Sequence, residues 1–341
     1  MDITSEAKAV PRPDRHLSWF WRSLLGLIVA LAVLVLGLMV WWDRQPRSGD
    51  LPAFSSVSED GSATVGAVTT GALIAVARTL LDKRGGYLSN DVLPPGVLMD
   101  NVPNWEFGAL TQCRDLARAL RNEFSRSQTQ SLEDRDLAEA DPLFSFSNDR
   151  FILPSTESQY REAIGHVERY RQRLLDPADP GSQFYARADN LAAYLAVVES
   201  RLGGLSQRLS ASVARSRLNT DLANDGEARQ STPASSEQAV QTAWTQIDDV
   251  FYEARGSSFA LAAFLRAIDQ DFARVLDDKN ARVSLQQVIR ELEEAQAPIR
   301  SPIILNGSPF GFFGNHSLVL ANYLSRANAA LIDLRKLLER G

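Results

Sequence analysis

Between Ser23 and Trp42 the chain runs for twenty residues without a charge, mostly Leu, Val, Ala and Ile. At about 1.5 Å of rise per residue a helix of that length covers about 30 Å, the hydrocarbon thickness of a bilayer. Trp19, Phe20 and Trp21 stand at one end of this run and Trp41 and Trp42 at the other. Amphipathic rings settle there at headgroup level. The pattern predicts one membrane-spanning helix over 23–42, preceded by a short segment 1–22 and followed by a Pro-, Gly- and Ser-containing linker over 43–62.

Beyond the linker the apolar positions recur at three and four. Val65, Val68, Ala72, Val76 and Leu80 predict a helix that Gly85-Gly86 ends, and Trp105, Phe107, Leu110, Cys113, Ala117, Leu120 and Phe124 face inward on a second over 104–127. Residues 128–154 read as irregular, with Leu143, Phe144, Phe146, Phe151 and Ile152 packing as a flap over the bundle. Pro154-Ser155-Thr156 resembles the capping start of a helix ending at Asp176-Pro177. The longest regularities are two seams, Phe184 to Leu209 and Val240 to Val275, with a kink admitted at Gly256-Ser257. The polar stretch 219–236 between them turns the chain back. A shorter helix carries Val283, Leu285, Val288, Ile289 and Leu292, and a terminal one aligns Leu320, Leu324, Ala327, Leu331, Leu334 and Leu338. No segment outside the span sustains period-two alternation, so the expected fold is all-α. It comprises the span and an antiparallel helical-bundle domain over 63–341 with two long irregular loops, 85–103 and 297–315. The stripes are read as intramolecular core, with an intermolecular coiled coil as the alternative.

A cleaved signal peptide would have a shorter apolar region and a small-residue cleavage site, and here the run ends in Trp41-Trp42-Asp43-Arg44. A permanent anchor is the expectation. Lys8, Arg12, Arg15 and Arg22 precede the span while Arg44 and Arg47 follow it, which favours an N-terminus inside the cell and a bundle outside, in the periplasm of a Gram-negative cell. Cys113 lies far from the span, so a lipid anchor has no acceptor there, and a single thiol leaves stability to the core. Four basic and three acidic residues precede Asp43, so of the net charge of −6 the remainder carries −7. Such a surface repels nucleic acid. Glu133 to Asp141 reads as a solvated acidic loop.

Catalytic residue types are scarce. His166 shares a helix face with Glu162, but the paired Glu-x-x-His of a di-iron bundle is missing, and neither a metal site nor a cofactor is expected. Asp248, Asp249, Glu253 and Arg255 form a polar cluster in which Asp249 and Glu253 stand one turn apart near Trp244, Phe251 and Tyr252. Paired carboxylates are the equipment of glycoside hydrolysis. The simpler reading makes them polar flanks of a core helix, with Arg255 neutralising one acid. Gly307 to Asn315 holds Phe310, Phe312 and Phe313 without the spacing of a phosphate loop. The phenylalanines either insert into a bilayer surface or hydrophobic partner, or cap one end of the bundle, the simpler case.

Several stretches carry a resemblance: Gly85 to Asp91 through Pro94-Pro95-Gly96, Asp100 to Gly108, Phe124 to Gln128, Asp248 to Gly256, and Phe310 to Asn315. They resemble the uncharacterised bacterial family known as domain of unknown function 2333, from about Val65 to the C-terminus. The resemblance implies a bacterial, membrane-anchored envelope protein and supplies no catalytic residue. The expected function is a non-enzymatic interaction or scaffold protein of the inner membrane, with an envelope protein partner or self-association. The alternatives are a cell-wall glycan enzyme using Asp249 and Glu253, or a helical ligand sensor.

Overall fold

The computed structural model describes residues 15–52, 64–128, 130–176, 178–179, 181–218, 237–301 and 303–340. Among them are ten α-helices: α1 Arg15–Trp42, α2 Ala67–Asp82, α3 Asn101–Ala119, α4 Arg135–Phe144, α5 Thr156–Leu175, α6 Ala188–Ser210, α7 Ile247–Asp271, α8 Ala273–Asp278, α9 Arg282–Glu294 and α10 His316–Glu339. The fold is all-α apart from one short antiparallel ribbon, β1 Arg215–Leu218 with β2 Glu237–Val240, in which Arg215 stands opposite Val240. The polar reversal predicted between the two seams, over 219–236, lies outside the described residues.

Helix α1 stands clear of the bundle: from Trp19 to Trp42 it is apolar, with a mean hydropathy of 2.9, and none of that stretch is buried inside the protein. Around α7, helices α2, α6 and α9 run antiparallel to it, while α3 runs parallel, with Asn104 beside Asp249 and Gly108 beside Glu253. Apolar on almost every side, α7 is the central element, burying Phe251, Phe259, Leu261, Phe264, Leu265 and Ile268 against α3, α2, α9 and α6. The second predicted seam is therefore corrected at both ends. Val240 belongs to β2, Trp244 sits exposed in the turn before α7, and Val275 falls on α8. The seam of α6 (Leu191, Leu195, Val198, Leu202, Leu205, Leu209) packs on that of α10 (Leu320, Leu324, Ala327, Leu331, Leu334, Leu338) within the same chain.

α7 continues without a break through Gly256. A methyl carbon there would lie 2.7 Å from the Trp105 carbonyl carbon, and one on Gly108 would lie 2.8 Å from that of Glu253. The two glycines let the backbones of α3 and α7 touch, and Ser257 Oγ donates to Gly108 O at 3.2 Å across the contact. Trp105 and Phe259 stack beside it with centroids 5.0 Å apart.

Residues 128–154 are less irregular than their composition suggests. Asp134 caps α4, accepting from Asp136 N and Leu137 N, and Phe144 is fully buried. The acidic stretch is thus a docked helix rather than a solvated loop, because α3 and α5 supply cations. Arg173 Nη2 donates to Asp134 at 2.8 Å and to Asp136 at 2.7 Å, Arg169 Nε to Asp136 at 3.0 Å, and Arg121 Nη1 to Asp141 at 3.1 Å. These guanidiniums, with His166, outweigh the burial that would raise the Asp136 carboxyl and hold it below its ordinary range. Phe151, Ile152 and Phe107, expected inward, are exposed. Cys113 is buried as expected, and burial pushes its thiol up.

Candidate functional site

The elements that surround the end of α1 converge at one end of the bundle: the C-terminal ends of α2, α4, α6 and α9 and the N-terminal ends of α3, α5, α7 and α10. Trp42 packs its ring on Gly85, where φ of +84° and the ring leave no room for a side chain, and the Arg84 guanidinium lies 5.9 Å from the Trp41 ring. Met39, Val40 and Asp43 share a depression with Leu98, Met99, Asp100 and Asn101. The chain leaving α1 is strapped down at once. Ser48 N donates to Gln296 Oε1 at 3.2 Å, Arg266 Nη1 donates to Ser48 O at 3.0 Å, and Leu51 packs on the core. Linker composition over 43–52 thus describes a segment fixed to the bundle, because its backbone groups find side-chain partners there.

Arg255 fastens the strap. Buried, it donates through Nε to Gln45 Oε1 at 2.9 Å and through its Nη atoms to the carbonyls of Ala295, Gln296 and Ala297 at 3.2, 3.2 and 3.0 Å. Burial pulls its pKa down to about 10. It therefore neutralises no acid of its own cluster, which corrects the expectation: two residues, about 200° around the helix, send Arg255 to the α9 side and Glu253 to the α6 side.

The carboxylates find separate partners. Asp249 Oδ1 accepts from Asn104 Nδ2 at 2.7 Å, and its carboxyl is raised by burial and by Asp248 and Asp100 nearby. Glu253 pairs with Arg208 of α6 and faces a depression of about 330 Å³ that Gln112 and Arg201 also line. Asp249 does not line that depression. Among the described residues no group of three or more His, Cys, Asp or Glu side chains is placed to hold a metal ion.

Sequence reasoning missed what pins the 85–103 loop. Glu106, fully buried, pairs with Lys83 and accepts from Leu88 N at 2.9 Å and Ser89 N at 2.8 Å. Lys83 also reaches the carbonyls of Leu80 and Gly86. Asn90 Nδ2 donates to Arg150 O and to Glu157 Oε2, both at 2.8 Å, tying the loop to the segment before α5. The 297–315 loop is a finger with a closed base: His316 N donates to Leu305 O at 2.8 Å, Gly307 N to Gly314 O at 3.1 Å, and Asn315 Nδ2 to Gly307 O at 2.8 Å. At its tip Phe310 and Phe312 are fully exposed and Phe313 is 70 % exposed. The phenylalanines therefore do not cap the bundle; the hydrogen-bonded base holds them away from its core.

A cleft of about 1070 Å³ opens beside the strap, between residues 44–52, α2 and α5. Arg44, Arg78, Lys83, Arg84 and Arg171 line it together with Asp50, Asp82 and Glu168, and Ile74 and Ala75 add apolar surface. The Arg78–Glu168 pair crosses its wall. No run of sequence pointed to this cleft, since its lining comes from three separated segments.

No curated protein and no solved structure matches the chain. A family model does, over residues 14–341, that of DUF2333, described as an uncharacterized protein conserved in bacteria. The match takes in α1, the strap, the pinned loop and the phenylalanine finger together, and the chain belongs to this bacterial family.

Proposed function

We propose that the protein is a single-pass, membrane-anchored interaction or scaffold protein of the bacterial envelope, with 1–22 in the cytoplasm and the bundle outside the inner membrane. The observation that carries this reading is the strap: residues 43–52 are bonded to α7 and α9 directly after the apolar helix, so the anchor and the cleft beside it form a unit of set geometry. A flexible tether would let the domain roam; a fixed one presents the same cleft at a constant height above the bilayer. Its cations and apolar surface suit a polypeptide segment carrying acidic and apolar residues, from an envelope protein or from a second copy.

The test is site-specific photocrosslinking of the full chain in intact cells, with the crosslinker replacing Ile74 in the cleft or Leu132 at the opposite end of the bundle. A discrete adduct from position 74 and none from 132 is expected; no adduct from 74 overturns the reading. Labelling of Leu132→Cys by a membrane-impermeant maleimide in intact spheroplasts tests the orientation, and protection of that thiol until lysis would reverse it. An enzymatic reading through Asp249 and Glu253 has less support, since Arg208 occupies Glu253 and the two acids serve different surroundings.

A further inference from the structure

Outside α1, the large apolar side chains that reach solvent are unevenly placed. Val92, Leu93, Val97 and Leu98 are exposed on the 85–103 loop, Phe151, Ile152 and Leu153 before α5, Trp244 before α7, Ile303 and the three phenylalanines before α10. Every one of these segments leaves or enters the bundle at the end where α1 joins it. Leu153 is 88 % and Trp244 83 % exposed there. At the opposite end, beyond α3, before α2 and at the start of α9, only Val65, Leu132 and Val283 are comparably bare among the described residues.

Depth relates this crown of loops to the anchor. Leu98 and Met99 line the same depression as Met39 and Val40, which belong to the last apolar turns of α1. A loop side by side with those turns lies where the span itself leaves the acyl region. Asn90 ties the Ile152–Leu153 segment to this loop through Arg150. Ile299 and Ser301, at the root of the phenylalanine finger, line one hollow with Asp43, Arg44, Pro46 and Arg47 of the strap. The three apolar loops are therefore bound to structures within a few residues of the end of α1.

We propose that this end of the bundle is a second membrane contact: Leu93, Leu98, Ile152, Leu153, Phe312 and Phe313 enter the headgroup and upper acyl region of the leaflet from which α1 emerges. The domain then lies on the bilayer instead of standing off it. The occupant is lipid because the patch adjoins the end of the apolar helix and continues its surface, whereas a protein partner would have to wedge between bundle and bilayer. Apolar bodies with occasional aromatic rings at headgroup level are the composition such insertion uses. Acids (Asp91, Asp100, Asp248) and cations (Arg84, Arg150, Arg300) both stand among these loops, so the apolar side chains are the common element and contact with zwitterionic lipid is expected. The inference rests on the anchored reading of α1 given above.

The test uses the full chain in phosphatidylcholine proteoliposomes, with an environment-sensitive nitrobenzoxadiazole label on one introduced cysteine at a time; Cys113 stays, since it is buried. Labels on Phe312→Cys and Leu153→Cys should lose at least half their emission to lipids carrying a nitroxide near the headgroup. Labels on Leu132→Cys and Val283→Cys should be unaffected. Leu31→Cys, in the middle of the span, should be quenched by a nitroxide deep in the acyl chain. If Leu31→Cys is quenched while Phe312→Cys and Leu153→Cys remain as water-exposed as Leu132→Cys, the crown does not insert and only this inference fails. If Leu31→Cys is not quenched, the anchor itself is refuted. Labels at 312 and 153 that are shielded from water yet untouched by nitroxide lipid would mean that a protein covers the crown, which also overturns the proposal.

Discussion

Replacing Gly256 by alanine tests the central packing contact directly. Ala is favoured over Gly inside a helix by about 1 kcal/mol, so on propensity alone the change stabilises. In the folded protein the added methyl would meet the Trp105 carbonyl carbon at 2.7 Å and Ala109 N at 3.0 Å, and both belong to the α3 backbone, which has no rotamer to change. Restoring an ordinary separation of ~3.5 Å moves α3 and α7 apart by about 1 Å. That loosens the Trp105–Phe259 stack and the Ser257–Gly108 hydrogen bond. Overpacking of this kind costs about 1–3 kcal/mol, and a clash with backbone falls at the upper end. The net expectation is a loss of about 2 kcal/mol, or ~4–8 °C in melting temperature for a domain of this size. Gly204→Ala, on the exposed side of α6 with nothing within 4 Å of its new methyl, should instead gain about 0.5–1 kcal/mol. Thermal melts of the full chain in detergent, followed by helical circular dichroism, read both. Combining Gly108→Ala with Gly256→Ala should cost less than the sum, because helices already parted by one methyl accommodate the other. A Gly256→Ala protein that melts at or above the parent temperature would refute the argument.

Three further outcomes follow from the buried polar groups. Lys83→Met leaves Glu106 buried without its cation and should cost about 3–5 kcal/mol in urea unfolding, with the 85–103 loop becoming the first site of proteolysis; an unchanged midpoint would contradict the pairing. Arg255→Met removes the donors to Gln45 and to the carbonyls of 295–297, so trypsin should cut after Arg44 and Arg47 at least several-fold faster than in the parent. Asp136 is held below its ordinary pKa in the fold, so its contribution is complete above the unfolded carboxylate value near 3.9 and disappears as pH falls through the lower folded value. Asp136→Asn should therefore cost about 1.5–3 kcal/mol at neutral pH and flatten the acid limb of the stability profile; a limb of parental steepness would assign that slope to other groups.

The helices, the apolar span and the inert thiol were legible in the sequence because each depends on residues near one another along the chain. Period-3.6 patterning survives any tertiary arrangement that buries one face, and twenty uncharged residues span the same length wherever they sit. Composition failed where the partner was distant. Glu133 to Asp141 read as solvated because Arg169 and Arg173 lie on another helix, and 43–52 read as a free linker because Gln296, Arg255 and Arg266 are more than two hundred residues away. Gly256 illustrates the difference most sharply: locally it is a helix weakener, and only the approach of Trp105 and Gly108 turns it into the point where two backbones meet. The side to which Arg255 turns, the cleft beside the strap, and the gathering of Leu98, Leu153 and Phe312 at the end that carries α1 were likewise decided by the fold. A sequence records which residues can be buried or charged; which of them become neighbours is set by the packing of helices whose ends, far apart along the chain, are brought to one face.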